Sequence, residues 1–106
     1  EHAVYRFPPP DAATKHGIVG LTKAMCDELA EYNVQVNGIA PGYFKTKLVE
    51  ETMKDLERSR WIVGHTPDGR WGDVYDLMGA TVFLASQASR FVNGHILSVD
   101  GGFLTR

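Results

Sequence analysis

The run Pro41-Gly42-Tyr43-Phe44-Lys45-Thr46 combines residue types suited to ligand contact. Proline and glycine let a backbone turn sharply and approach a flat ligand, while loop amides and the Thr46 hydroxyl offer hydrogen-bond partners. The same run also reads as a plain strand-to-helix turn capped by Thr46, and residue physics alone favours that reading because such turns are common. Other chemistry-bearing residues are sparse. His2, His16, His65 and His95 show no paired spacing for a metal, and Cys26, the single cysteine, allows neither an intramolecular disulfide nor a multi-thiolate site and reads as an apolar filler. Trp61, His65, Arg70 and Trp71 could be recruited to a ligand, but local packing and loop solvation are the favoured account of them. Arg70 has the planar donor fork that suits a carboxylate, although a surface arginine bound to nothing is an equal reading.

The elements that must position these residues follow from periodicity. Pro8-Pro9-Pro10 lack backbone N–H groups, so a helix is expected from about Asp11, with Asp11 as its N-cap. Ile18, Leu21, Met25 and Leu29 recur at helical spacing through Tyr32, beside a second face of Ala13, Gly17, Gly20 and Ala24 that suits close approach of another backbone. Asn33 can take the left-handed conformation that ends a helix, and Val34 to Ala40 reads as a strand. A second helix is expected from Thr46 to about Trp61, a loop over Gly64 to Gly69, and a third helix from Asp73 to about Ser89, apolar enough to be buried on more than one side. His95 to Val99 reads as a last strand, stopped by Asp100-Gly101-Gly102.

Helix, strand, helix, helix, strand is the rhythm of an α/β fold with a mostly parallel sheet, yet two strands cannot bury both faces of one. The expected fold class is therefore the C-terminal part of a doubly wound, Rossmann-like parallel-sheet fold, incomplete within this chain. No G-x-G-x-x-G or phosphate-loop pattern occurs, since Gly17-Ile18-Val19-Gly20 lies inside a helical stretch.

The helix-borne Lys15, the run Val36-Asn37-Gly38-Ile39-Ala40-Pro41-Gly42 and the run Val99-Asp100-Gly101-Gly102 together resemble the C-terminal portion of the short-chain dehydrogenase/reductase family over about residues 11–106. Residues 1–10 form an atypical N-terminal segment that does not resemble the family. The phrases Arg70-Trp71-Gly72-Asp73 and Asp76-Leu77-Met78-Gly79 resemble members acting on sugar acids, such as gluconate 5-dehydrogenase and 2-deoxy-gluconate 3-dehydrogenase. The resemblance implies that Lys15 hydrogen-bonds the nicotinamide ribose and lowers the pKa of a catalytic tyrosine four residues earlier. It implies that Pro41, Gly42, Tyr43, Phe44 and Thr46 contact the carboxamide end of the nicotinamide, while Asn37 has a structural hydrogen-bonding role. The family's tyrosine position is Asp11. A carboxyl has a reference pKa of about 3.9, which a nearby ammonium lowers further, so Asp11 would be ionised at neutral pH and unable to donate a proton. Tyr5 is no substitute by spacing, with a stiff triple-proline run between it and Lys15.

Composition narrows the partners. Among 106 residues, 43% hydrophobic and 23% charged, a net charge of −2 without a basic run gives no footprint for nucleic acid or a membrane surface. The longest apolar stretches, such as Val82 to Ala85, are too short to span a bilayer, and the start lacks a secretory pattern, so a cytoplasmic location is expected. The expected function is hydride transfer between NAD or NADP and a sugar-acid hydroxyl or ketone in a complete protein, with a small-molecule substrate and a homo-oligomeric state. This chain alone is expected to bind no cofactor and to be inactive. The alternative is a truncated or degenerate module that serves only packing and oligomerisation.

Overall fold

A computed structural model describes the backbone of residues 9–105 and the side chains of residues 13–105; residues 1–8 and the side chain of Asp11 lie outside the described residues. Helix α1 spans Pro9–Leu29 and runs into a 3-10 turn at Ala30–Tyr32. Its start lies ahead of the expected Asp11, because proline is tolerated in a first turn, where its missing N–H has no intrahelical acceptor to lose. Asp11 is thus a helical residue and not the cap. Asn33 ends the turn as its side chain allows, at φ 59° and ψ 35°, with its N–H donating to the Ala30 carbonyl at 3.0 Å.

Strand β1 is Gly38–Pro41 and strand β2 is Ile96–Val99, and the two pair in one sheet. The Gly38 N–H donates to the His95 carbonyl at 2.8 Å and the Gly42 N–H to the Val99 carbonyl at 2.9 Å. Donors and acceptors advance together in sequence, which is the parallel register. β1 is shorter than the expected Val34 to Ala40 because the run before it is held by side chains and by one backbone bond, the Gly94 N–H donating to the Val36 carbonyl at 2.8 Å, without a continuous ladder. The Val36 N–H donates to Asn93 Oδ1 at 2.9 Å, the Asn37 amide donates to the Val92 carbonyl at 2.9 Å, and Asn37 Oδ1 accepts from the His95 N–H at 3.0 Å.

The chain divides into two compact units. One comprises the chain up to Gly38 together with Phe91–Ile96; the other is Ile39–Arg90 with Leu97–Arg106. In the first, Thr22 is the buried side chain of α1, its hydroxyl bonded to the Ile18 carbonyl, and Cys26 packs half-buried against Gly94. The small-residue face does not receive a neighbouring backbone among the described residues: nothing lies within 4 Å of a Cβ built on Gly17 or Gly20, and Ile18 and Leu21 are exposed.

The second unit holds the apolar core of Phe44, Ile62 and Trp71, with Thr66 buried beside them. The single helix expected from Thr46 is split. A 3-10 turn at Lys47–Val49 leads into α2, Glu50–Lys54, and then Asp55 takes an extended conformation and caps α3, Leu56–His65, by accepting from the Arg58 N–H at 3.2 Å. Asp is among the best N-caps, so the break sits where a carboxylate can satisfy an orphan donor. Ile62, at 1% exposure, anchors α3 to the core, a burial that contributes roughly 1.5–3 kcal/mol. Helix α4 spans Tyr75–Leu84 and is followed by a separate 3-10 turn at Gln87–Ser89, so the expected continuous helix from Asp73 to Ser89 is also divided. Nor is α4 buried on several sides: Met78, Val82 and Phe83 are exposed and no residue of α4 is buried.

Asn37 uses both ends of its amide across a sequence separation of more than fifty residues, so its chemistry is testable. Asn37→Asp replaces the donor facing the Val92 carbonyl with an acceptor, and a loss of about 1–3 kcal/mol is expected in urea unfolding. An unchanged midpoint would show that the Asn37 bonds do not hold the Val92–His95 segment.

Candidate functional site at the end of the first strand

The segment after β1 is built from the backbone outward. The Gly42 N–H still pairs with β2, and at Gly42 there is no room for a side chain: an added Cβ would lie 2.7 Å from Asp100 Cα. Beyond Gly42 the chain leaves the sheet and is caught by one residue. The Tyr43 carbonyl accepts from the Gly72 N–H at 2.8 Å, the Lys45 N–H donates to the Gly72 carbonyl at 2.9 Å, and Phe44 and Gly72 form a parallel bridge. A Cβ on Gly72 would meet the Phe44 ring at 2.7 Å, so the ring occupies space that only glycine leaves open.

Aromatic packing fixes the loop from the other side. The Tyr43 ring meets Trp71 edge-on, with centroids 6.0 Å apart, and Phe103 at 5.3 Å. Trp71 is 7% exposed and its indole N–H donates to Ser59 Oγ of α3 at 3.0 Å. Trp61 stacks on His65 at 4.1 Å, and the two share a hydrogen bond between His65 Nδ1 and the Trp61 carbonyl. Partial burial pushes the Tyr43 phenol above its ordinary pKa, since desolvation disfavours the phenolate. Tyr43 is therefore a neutral group at physiological pH.

What the loop leaves unsatisfied points outward. The backbone N–H groups of Tyr43, Phe44 and Thr46 have no hydrogen-bond partner among the described residues, and neither does the Thr46 hydroxyl. Thr46 stands at the N-cap position of the Lys47–Val49 turn but its side chain makes no capping bond, contrary to the expected cap. These are donors without acceptors, open to a ligand oxygen. A neighbouring cavity of about 180 Å³, lined by Tyr43, Phe44, Arg70, Asp76 and Asp100, is smaller than the roughly 300–1,000 Å³ of sites that enclose a small ligand.

Arg70 is neither free nor available to a substrate carboxylate. Its guanidinium grips Asp76 with both terminal nitrogens, at 2.7 and 3.0 Å, and one of them also donates to the Trp71 carbonyl at 3.1 Å. Asp76 Oδ2 accepts in addition from the Asp73 N–H at 2.7 Å. The Arg70 hydrogen bonds, then the Asp73 amide, hold the Asp76 carboxyl well below the usual carboxylate range, at about 2. This pair was not legible as a pair, because Arg70 lies ahead of the turn that leads into α4 and Asp76 lies within α4, so no single element's period relates them. Lys15 lies in α1, exposed, in the first unit, whereas Pro41, Gly42, Tyr43, Phe44 and Thr46 all belong to the second.

A short parallel sheet whose strands alternate with helices along the chain, with a donor-rich loop at a strand's carboxyl end, is part of a doubly wound α/β fold. Comparison with known proteins agrees. A family model described as enoyl-(acyl carrier protein) reductase matches residues 3–104. The chain is 55% identical over 95 residues to 5-keto-D-gluconate 5-reductase of Escherichia coli K12, covering 90% of this chain and 37% of the relative. It is 50% identical over 93 residues to gluconate 5-dehydrogenase of Gluconobacter oxydans, covering 88% and 36%. The crystal structure of a gluconate 5-dehydrogenase from Burkholderia cenocepacia in complex with NADP and tartrate superposes with a TM-score of 0.91 at 48% identity, covering 97% of this chain and 41% of that one. The chain belongs to the short-chain dehydrogenase/reductase family. It spans less than two fifths of the length of these curated relatives. Among the described residues, no helix is long and apolar enough to cross a membrane.

The depressed Asp76 pKa sets a pH window. A carboxylate whose folded pKa lies below its unfolded value of about 3.9 stabilises the fold above that value, and the contribution is lost as pH falls through about 2. Acid unfolding between about pH 4 and pH 2 is expected to be shallower in Asp76→Asn than in the parent. Identical acid limbs would show that the Asp76 carboxylate gains nothing from Arg70.

Proposed function

We propose that this chain forms part of an NAD(P)-dependent oxidoreductase that moves hydride between the nicotinamide and a hydroxyl or ketone carbon of a sugar acid. The observation that carries the reading is the set of unpartnered donors on the Tyr43–Thr46 loop, at the strand end where α/β folds place ligands, in a chain half-identical to enzymes named for gluconate and 5-ketogluconate. Pro41 and Gly42 turn the chain, and the free amides of Tyr43, Phe44 and Thr46 with the Thr46 hydroxyl hold the carboxamide. Lys15 offers an exposed ammonium on α1, suited to the ribose hydroxyls. When bound, NAD or NADP supplies the hydride acceptor or donor. The substrate is a small molecule.

Asp11, four residues before Lys15, stands where the family's proton-transferring tyrosine belongs, and an ionised carboxylate there cannot protonate a carbonyl. That substitution favours a second reading, an enzyme by descent whose catalytic step is impaired, or a module kept for packing. The exposed apolar residues Ile18, Leu21, Met78 and Val82 support self-association, which light scattering at high concentration would refute by showing a monomer.

Activity separates the readings. In the complete gene product, NAD(P)-linked oxidation of gluconate is expected to be weak, to rise on the order of 100-fold in Asp11→Tyr, and to fall by a similar factor when Lys15→Met is added to that variant. Equal rates with Asp11 and with Asp11→Tyr would remove position 11 from the proton path. The 106-residue chain alone is expected to leave NADH and NADPH fluorescence unchanged at millimolar coenzyme.

A further inference from the structure

Among the described residues the backbone of Tyr43 to Lys45 hydrogen-bonds to Gly72 alone, and Gly72 sits inside a closed ring of hydrogen bonds. One terminal nitrogen of Arg70 donates to the Trp71 carbonyl and to Asp76 Oδ2 together, the other donates to Asp76 Oδ1, and Asp76 Oδ2 accepts from the Asp73 N–H. Both flanks of Gly72, at Trp71 and at Asp73, are thereby tied to the first turn of α4. Gly72 in turn gives one donor and one acceptor to Tyr43 and Lys45, and the Phe44 ring lies against its Cα.

We propose that Arg70 and Asp76 are positioning residues for the nicotinamide-contacting loop, acting through Gly72 to set where the amides of Tyr43, Phe44 and Thr46 stand. The proposal rests on the reading that this loop holds the carboxamide. Three bonds from one guanidinium require its planar fork, which a lysine ammonium cannot reproduce. With 56% of the Arg70 side chain and 34% of the Asp76 side chain accessible, solvent screening keeps the pair's share in folding stability small, and its geometric role is separate from that share. Neither residue touches the coenzyme in this account.

The test uses the complete gene product and two probes, the reduced coenzyme it uses and the matching ADP-ribose analogue without the nicotinamide. Arg70→Ala and Asp76→Ala are each expected to weaken coenzyme binding on the order of tenfold, within what misplacing a binding group by a fraction of an ångström costs. The double variant is expected to be no weaker than either single one, Arg70→Lys to fall between, and the ADP-ribose analogue to bind as in the parent. Equal weakening of both probes would overturn the proposal, because a damaged fold, unlike a displaced loop, affects the nucleotide end too. No change with either probe would overturn it as well. Thr46→Val separates the two levels of failure. If it weakens coenzyme binding while Arg70→Ala and Asp76→Ala do not, the positioning role is wrong and the loop reading stands; if all three are neutral, the loop reading itself is wrong.

Discussion

Beyond Gly42 the backbone has left the sheet, and among the described residues the course of Tyr43 to Lys45 rests on two hydrogen bonds to a single residue, Gly72. Much of the second unit's packing converges on that contact. The Phe44 ring can bury itself only because Gly72 has no side chain, and with Phe44 seated, the Tyr43 ring turns to Trp71 and Phe103 on the opposite side. Alternation of side chains along an extended segment thus sends Phe44 into the core and leaves Tyr43 half-buried above it. Because both bonds to Gly72 use the Tyr43 carbonyl and the Lys45 amide, the amides of Tyr43, Phe44 and Thr46 are left unpaired. A bridge of one residue holds a loop while leaving its donors open, which a full strand partner would not do.

The turn that closes the other side of this loop obeys a similar economy. Asp100 accepts from the Gly102 and Leu104 amides at 2.9 and 3.1 Å, while the Gly101 carbonyl accepts from the Asp68 N–H at 3.1 Å. Both glycines have positive φ, 62° and 87°, which is the conformation that the Asp-Gly-Gly sequence permits at little cost. The end of α3 is thereby attached to the end of β2, and the Thr66 hydroxyl, bonded to the Ile62 carbonyl, is buried without leaving a polar group unsatisfied.

The sequence made some of this readable and hid the rest for definite reasons. Asn33, Pro41-Gly42 and Asp100-Gly101-Gly102 carry turn chemistry in their own side chains, or in the lack of one, and each ends an element where expected. The α/β class and the short-chain dehydrogenase/reductase resemblance were likewise legible, because the runs around Val36 to Gly42 and Val99 to Gly102 are distinctive in combination. Helix breaks were not. Asp55 and Ser86 look like ordinary polar helix residues until their side chains are seen accepting backbone N–H groups, at Arg58 and at Ala88. Pro9 hid the start of α1 because a proline that breaks a helix interior is harmless in its first turn. The burial expected for α4 failed because apolar content says that a face wants a partner, not that this chain supplies one. For Arg70 the sequence left open a substrate carboxylate and a surface arginine bound to nothing, and the carboxylate it holds is Asp76.

The central claim is that the Pro41–Thr46 segment is a coenzyme contact, with the Tyr43, Phe44 and Thr46 amides and the Thr46 hydroxyl as its donors. A crystal structure of the complete gene product with NADP or NAD tests it most directly. The account predicts the nicotinamide carboxamide oxygen within about 3.2 Å of at least one of those donors, a normal N–H···O or O–H···O distance. A nicotinamide ring bound away from this loop, with those amides on water, would contradict it.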